Sequence, residues 1–352
     1  MIIGVPRETR EGEKRVALLP QAVQALVQEG HEVRVQADAG EGIGLTEGDY
    51  RRAGASIVNA FDAWGSELIV KVKEMQDTDF RVAPPGRTIF SFHHLVHDAA
   101  RTRALAGRGD TAIAFEEVET RDGLRPMLAP MSVIAGRMAV EVATKLLGRA
   151  PERVLVLGGG HAGLSAARTA SRARARVTVL TRTEKSVEAV REHGFTAAQA
   201  TPESVAAEAV ECDLVVGAAF RGGEPTPKLI TRKLLRRMRK GSVLVDIAIE
   251  EGGVAETSRA TSHARPTYVE HDIIHYCVPN MPAAVPAEGS TAISIAALPF
   301  VRQMASQGIG PAVRANPGLR RGVLAWQGRI VHEGIAAEAG LPYTPLTDED
   351  LA

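Results

Sequence analysis

Short apolar runs separated by amphipathic or alanine-rich stretches recur along the whole chain, and this alternation predicts an α/β protein. In the N-terminal part, Ile2-Ile3-Gly4-Val5, His31 to Gln36, Leu68 to Lys73, Thr88 to Phe92 and Thr111 to Phe115 read as strands. Between the first two, Gln21 to Glu29 carries Val23, Leu26 and Val27 at helical spacing and stops at Gly30. Pro130 opens a long alanine-rich helix, Met131 to Leu147, which ends at Gly148 and is long enough to join two domains. Further strands are expected at Val154 to Leu157, Arg176 to Leu180, Leu214 to Gly217, Ser242 to Ile247 and Ile273 to Val278. A helix from about Thr291 to Gln307 and a hairpin-like Val323 to Val331 follow. The pattern predicts two Rossmann-like doubly wound domains with a cleft between them. Residues 1–128 with 290–352 form a discontinuous substrate domain, because the last helix is expected to return to the first sheet, and residues 129–289 form a dinucleotide-binding domain.

The most informative stretch is Val154-Leu155-Val156-Leu157-Gly158-Gly159-Gly160-His161-Ala162-Gly163, an apolar strand followed by glycines at the spacing of a phosphate-binding turn. Gly158 permits the turn, Gly160 lets backbone approach a pyrophosphate, and Gly163 lets the next helix sit against the strand. An alanine-rich helix and the strand from Arg176 complete the strand, turn, helix, strand context that a dinucleotide site requires. At the end of that second strand stands Thr181-Arg182-Thr183, where a carboxylate usually accepts bonds from the ribose of NAD. A hydroxyl followed by Arg182 suits a 2′-phosphate, so NADP(H) is expected over NAD(H), unless Arg182 is merely solvated and neutralised by Glu184.

Length and composition narrow the partners. A chain of 352 residues exceeds one economical core, and 45% hydrophobic with 24% charged residues is ordinary for a globular enzyme. Lys+Arg 42 against Asp+Glu 42 argues against a nucleic-acid or anionic-membrane partner. The densest basic run, Arg232-Lys233 and Arg236 to Lys240, reads as the solvated face of a helix ending at Gly241. Cys212 and Cys277 lack metal spacing and favour a reducing compartment, and neither a leader peptide nor a long apolar span is visible. A cytoplasmic protein without a metal is expected.

Candidate chemistry gathers at strand ends, where α/β sheets bind ligands. Arg15, Lys73 and His94 could converge there on one anion. Each also has a bland reading: Arg15 pairs with Glu11 or Glu13, Lys73 with Glu74, and His94 joins His93 and His97 as surface imidazoles. In the second domain, Ser242 to Gly253 is an apolar strand delivering carboxylates to a glycine-rich loop, with Glu250 just past the strand near the expected nicotinamide position or as a solvated loop acid.

Several motifs then fall in a familiar order: Gly4-Val5-Pro6-Arg7-Glu8 with Arg15-Val16-Ala17, Lys71-Val72-Lys73-Glu74, Phe90-Ser91-Phe92-His93-His94-Leu95, and Pro130-Met131-Ser132 with Ala135-Gly136-Arg137. The glycine turn, Val245-Asp246-Ile247-Ala248-Ile249 and Asn280-Met281-Pro282 complete the set. Over nearly its whole length the chain resembles the alanine dehydrogenases and the related soluble nucleotide-binding subunit of proton-pumping transhydrogenases. The resemblance implies that Arg15 and Lys73 hold the substrate carboxylate and carbonyl oxygen, and that His94 handles the proton. It implies that Ser132 contacts the cofactor phosphates, that Asn280 lies beside the nicotinamide, and that the protein is a homo-oligomer, commonly a hexamer. Departures are Glu250 in place of Asp, Thr181 in place of Asp, the short Gly148 to Glu152 linker, and Ser294-Ile295-Ala296 in place of Asn-Ala-Thr.

The expected function is NAD(P)-dependent oxidative deamination of a small L-amino acid, most simply alanine, to a 2-oxo acid and ammonia. Two alternatives are an NADPH-dependent imine reductase joining an amine or amino acid to a 2-oxo acid, and a nucleotide-binding subunit without chemistry of its own. The trio Arg15, Lys73 and His94 counts against the last, since a nucleotide binder has no use for it.

Overall fold

Strands covered on both faces read as unbroken apolar runs, and most of the runs above become parallel strands of this kind. The computed structural model describes residues 1–96, 98–219 and 226–352, so that His97 lies outside the described residues. Six strands come first: β1 Ile2–Val5, β2 Glu32–Gln36, β3 Ser56–Val58, β4 Leu68–Val70, β5 Thr88–Ser91 and β6 Thr111–Ala114. Seven more make a separate sheet: β7 Arg153–Leu157, β8 Arg176–Thr181, β9 Thr196–Gln199, β10 Leu214–Gly217, β11 Val243–Asp246, β12 Thr267–Glu270 and β13 Ile273–Tyr276. A closing hairpin, β14 Val323–Trp326 and β15 Arg329–Ile330, rejoins the first sheet antiparallel to β6.

The sheet orders are β15-β14-β6-β5-β4-β1-β2-β3 and β12-β13-β11-β10-β7-β8-β9. In the first, β1 to β6 are parallel; in the second, only the edge strand β12 runs antiparallel. Both sheets are therefore doubly wound, and each reverses direction beside its first strand, at β1/β4 and at β7/β10. The carboxyl ends of strands at such a reversal are where this architecture binds ligands. The chain divides into two units, Met1–Leu128 with Val285–Ala352, and Ala129–Ala284.

Several elements differ from the sequence expectation. The helix Leu128–Leu147 takes Pro130 into its first turn, where a missing N–H leaves no bond unmade. The helix Pro286–Gln307 begins five residues early for the same reason, with Pro286 in its first turn. Strand β4 stops at Val70, and residues 71–73 bend away from it. The basic run is helical only over Arg232–Leu235. Repeated like charge disfavours a longer helix, and Arg239 and Lys240 turn instead to Asp213 (2.9 Å) and Asp272 (3.0 Å).

Candidate active site and nucleotide site

In the first unit, the loop after β1 carries Glu8, Arg10, Glu13 and Arg15. Arg15 is 2% exposed, and its Nε and Nη2 donate to the two carboxylate oxygens of Glu13 at 2.7 and 2.5 Å. This fork holds the guanidinium plane in one orientation and balances its charge. The loop behind it is tied to the helix Pro286–Gln307: the buried hydroxyls of Ser290 and Ser294, one turn apart, accept from the amides of Val16 and Leu19, both at 2.9 Å.

Glu8 shapes the segment after β4. Its carboxylate accepts the amides of Val72 at 2.6 Å and Lys73 at 3.3 Å, which bends the chain at this point. Burial pushes Glu8 up to about 7, with the Lys71 ammonium pulling the other way and Glu13 adding to the rise. Lys71 is fully buried against Asp79 (2.8 Å) and Glu8 (3.6 Å), with its ammonium 5.5 Å from the centroid of the Trp64 ring. Burial disfavours its charge, yet the surrounding carboxylates raise its pKa overall. Lys71 points inward and braces the segment.

Lys73 Nζ lies 2.8 Å from Nε2 of His94, 3.8 Å from Glu74 and 5.8 Å from the Phe92 ring centroid. The His94 ring stacks on Phe92 with centroids 5.8 Å apart and planes within 10°. Glu74 also pairs with Arg10 at 2.7 Å. Burial alone would raise its pKa, but Lys73 and Arg10 hold it down at about 2. His94 retains exposed surface while its Nε2 end is enclosed. Burial of that end, and then the Lys73 ammonium, depress its pKa well below the ordinary imidazole range. The neutral imidazole accepts from Lys73 through Nε2, which assigns its proton to Nδ1.

His94 adopts φ +47°, the left-handed region. Its amide donates to Glu116 Oε1 at 2.7 Å, and the His93 amide donates to the same carboxylate at 3.0 and 3.2 Å. Burial pushes Glu116 up to about 7 against the pull of these amides. The His93 ring is buried, with Nε2 3.1 Å from the carbonyl of Ile89, and burial lowers its pKa to about 4. The structure thus brings Lys73 and His94 into direct contact and seats Arg15 in the same unit on Glu13. Glu8, Lys71, Asp79 and Glu116 were not singled out by sequence reasoning. Glu8 stood inside a quoted motif, but nothing in its spacing announces contacts 64 and 65 residues away.

In the second unit the glycines separate by what the protein itself requires. Gly158 has φ +115°, and a Cβ there would meet the carbonyl oxygen of Ala218 at 2.4 Å. A Cβ on Gly163 would lie 1.8 Å from the Gly158 carbonyl oxygen. A Cβ on Gly160 would meet no protein atom within 4 Å, so packing does not explain that glycine. Gly160 is the N-cap of the helix His161–Arg172, where the amides of a helix start are available to a phosphate. The residues present therefore fit a dinucleotide. Ser132 is half-buried on the helix Leu128–Leu147, which touches the glycine-turn helix through a 2.6 Å bond from the Ser165 hydroxyl to the Val133 carbonyl.

Thr181 is buried at the end of β8 and donates to the Ser186 hydroxyl at 3.0 Å, while Thr183 and Ser186 exchange the capping bonds of the helix Glu184–Glu192. Arg182 is exposed beside this cluster. At the end of β11, Asp246 is fully buried and accepts from Val254 N (2.8 Å) and Ser258 Oγ (2.5 Å), closing the loop between them. Glu250 is exposed on the 3-10 segment Ile247–Glu251 within that loop. Asn280 has φ +54° just before Met281–Ala284.

Comparison with known proteins accounts for both halves of this arrangement. A family model described as the alanine dehydrogenase/PNT N-terminal domain matches residues 4–135, and one for the corresponding C-terminal domain matches residues 131–333. The chain is 40% identical to an alanine dehydrogenase of Mycobacterium tuberculosis, over 98% of each chain. It is 37% identical to one of Staphylococcus haemolyticus, over 99% of each. Among solved structures, an L-alanine dehydrogenase superposes with a TM-score of 0.91 at 34% identity over 100% of both chains. A transhydrogenase from Sinorhizobium meliloti gives 0.82 at 27% identity, over 94% of this chain and 99% of that one.

These relatives overturn the expected preference for NADP(H), because the alanine dehydrogenases are NAD-dependent. The physical reason lies in the β8 terminus. Its hydroxyls are spent on one another and on a helix cap, and one exposed arginine does not make a phosphate site. No helix of the described residues is long and apolar enough to cross a membrane. With both domain models matched in order and full-length relatives at this identity, the chain belongs to the alanine dehydrogenase/PNT family.

Proposed function

We propose that this protein is an NAD-dependent L-alanine dehydrogenase, interconverting L-alanine and water with pyruvate and ammonium, and that the observation carrying the reading is the 2.8 Å contact between Lys73 Nζ and His94 Nε2. The first unit takes the 2-amino or 2-oxo acid and the second takes NAD(H). Gly158, Gly160, Gly163 and Ser132 hold the pyrophosphate side, Thr181 and Arg182 flank the adenosine end, and Asn280 and Glu250 stand toward the nicotinamide. When bound, the nicotinamide supplies the hydride acceptor.

The chain's own residues do the rest. Arg15, fixed in orientation by Glu13, grips the substrate carboxylate. Lys73 donates to the oxygen on Cα and stabilises the negative charge that develops there when water adds or leaves. His94, neutral at pH 7, accepts a proton at Nε2 from that oxygen or from attacking water once Lys73 has turned from Nε2 to the substrate oxygen, and returns it in the reverse direction. The protein resides in the cytoplasm and assembles as a homo-oligomer, the latter checked by light scattering on the purified chain.

Purified protein mixed with NADH, pyruvate and ammonium should consume NADH. If NADH is consumed only when ammonium is replaced by a bulky amine or amino acid, the imine-reductase reading takes its place. If it is consumed with no amine at all, or never, the dehydrogenase reading fails.

A further inference from the structure

His94 is neither glycine nor asparagine, yet its backbone is left-handed at φ +47°. A residue held in a sparsely populated region persists only where its surroundings dictate it. Glu116 supplies that constraint. It lies two residues beyond Ala114, which pairs with Ser91 in the β5/β6 register, so its carboxylate reaches across the strand ends to the turn that carries the histidines. Oε1 accepts from His94 N at 2.7 Å and from His93 N at 3.0 Å. Two consecutive amides converge on one oxygen, an arrangement that an extended backbone, with its amides alternating in direction, does not offer. The turn then places the His94 ring flat on Phe92 with Nε2 against Lys73.

We propose that Glu116 is a positioning residue: by gathering the His93 and His94 amides it holds the left-handed turn that sets the His94 imidazole on Lys73, and it does so without touching substrate. This rests on the dehydrogenase reading only through the role of His94. Burial that raises its carboxyl pKa is consistent with a group committed to backbone donors rather than to solvent.

Three substitutions test it. Glu116→Gln keeps a carbonyl oxygen where Oε1 stands, Glu116→Asp keeps the charge but falls short of the amides, and Glu116→Ala removes both. Glu116→Ala and Glu116→Asp should lower kcat about 10- to 100-fold, the cost of misplacing a catalytic group by roughly 1 Å, with little change in the KM for pyruvate. Glu116→Gln should keep most of the wild-type kcat. A kcat preserved in Glu116→Ala overturns the proposal, as does a Glu116→Asp enzyme more active than Glu116→Gln, which would make charge rather than reach the operative property. Should the alanine variant not fold, the Gln and Asp pair decides by the same criterion. A crystal structure of Glu116→Asp gives a readout independent of turnover. His94 should leave positive φ or its Nε2 should leave Lys73, and an unchanged His94 refutes the anchor. A wild-type enzyme inert toward alanine and pyruvate would sink the functional reading, while the crystal structure would still decide the role of Glu116.

Discussion

Replacing Gly160 by alanine separates what the glycine turn does for the fold from what it does for the nucleotide. At φ −79° and ψ −170° the backbone of Gly160 is open to any residue, and the added methyl would touch no protein atom within 4 Å. Two small stability terms oppose each other. Loss of glycine's freedom in the unfolded chain contributes about 0.4–1 kcal/mol, and an alanine N-cap is worse than glycine by roughly the same amount. The net should lie within about 0.5 kcal/mol, a Tm change of about 2 °C or less. Bound NADH should feel the methyl directly. Overpacking costs about 1–3 kcal/mol, which raises Kd by about 5- to 150-fold. The control is Gly163→Ala, whose Cβ would fall 1.8 Å from a backbone oxygen and must move the turn itself, lowering Tm and NADH affinity together. Fluorescence titration with NADH and a thermal melt on each variant suffice. If Gly160→Ala melts as early as Gly163→Ala, or binds NADH as the wild type does, the assignment of Gly160 to the cofactor is refuted.

Arg15→Lys keeps the charge but loses the fork on Glu13, so the KM for pyruvate should rise about tenfold to a hundredfold, matching a lost charge-assisted bond of roughly 1.5–3 kcal/mol; an unchanged KM would show that Arg15 does not grip the substrate. His94→Ala should reduce turnover by about 100-fold or more while NADH still titrates normally, and persistent turnover would remove its role in proton transfer. His93, with a pKa of about 4 in the fold against 6.5 in the unfolded chain, contributes nothing above pH 6.5 and withdraws stability as pH falls from there toward 4, on the order of 3 kcal/mol in all. Glu8 and Glu116, whose pKa values are raised, act oppositely over the same window, so the measurement is a difference. The urea midpoint of His93→Gln should fall less between pH 6.5 and 4.5 than that of the wild type, and parallel curves would refute the burial argument.

Much of the architecture can be read from residues alone because parallel strands announce themselves. Val154 to Leu157 and Leu214 to Gly217 are apolar without interruption, since both of their faces are covered. Ser56–Val58, Thr196–Gln199 and Thr267–Glu270 escaped notice because they are short, lie at sheet edges and carry polar residues. Proline misleads as a boundary at Pro130, which sits inside a first helical turn. Cations near strand ends are visible as Arg15, Lys73 and His94, with Glu13 and Glu74 as sequence neighbours, but the acids that reach them from other strands are not. Glu8 meets Val72, and Glu116 meets His94, only after the sheet has set strands side by side, and no local period encodes that. Arg182 misleads in the other direction: its residue type suits a phosphate, but the hydroxyls beside it are engaged with one another.

The chain leaves its first unit at Leu128 and returns to it at Val285, and this orders events during synthesis. Domains ordinarily fold from the N-terminus as they emerge from the ribosome. Here the later-made unit is uninterrupted and can finish first. The leading 128 residues must wait with one flank of β6 uncovered and with the Arg15 loop untethered, until Ser290, Ser294 and the β14–β15 hairpin have been translated. A nascent chain halted before Val285 should therefore bind nucleotide yet remain open to protease across its N-terminal unit.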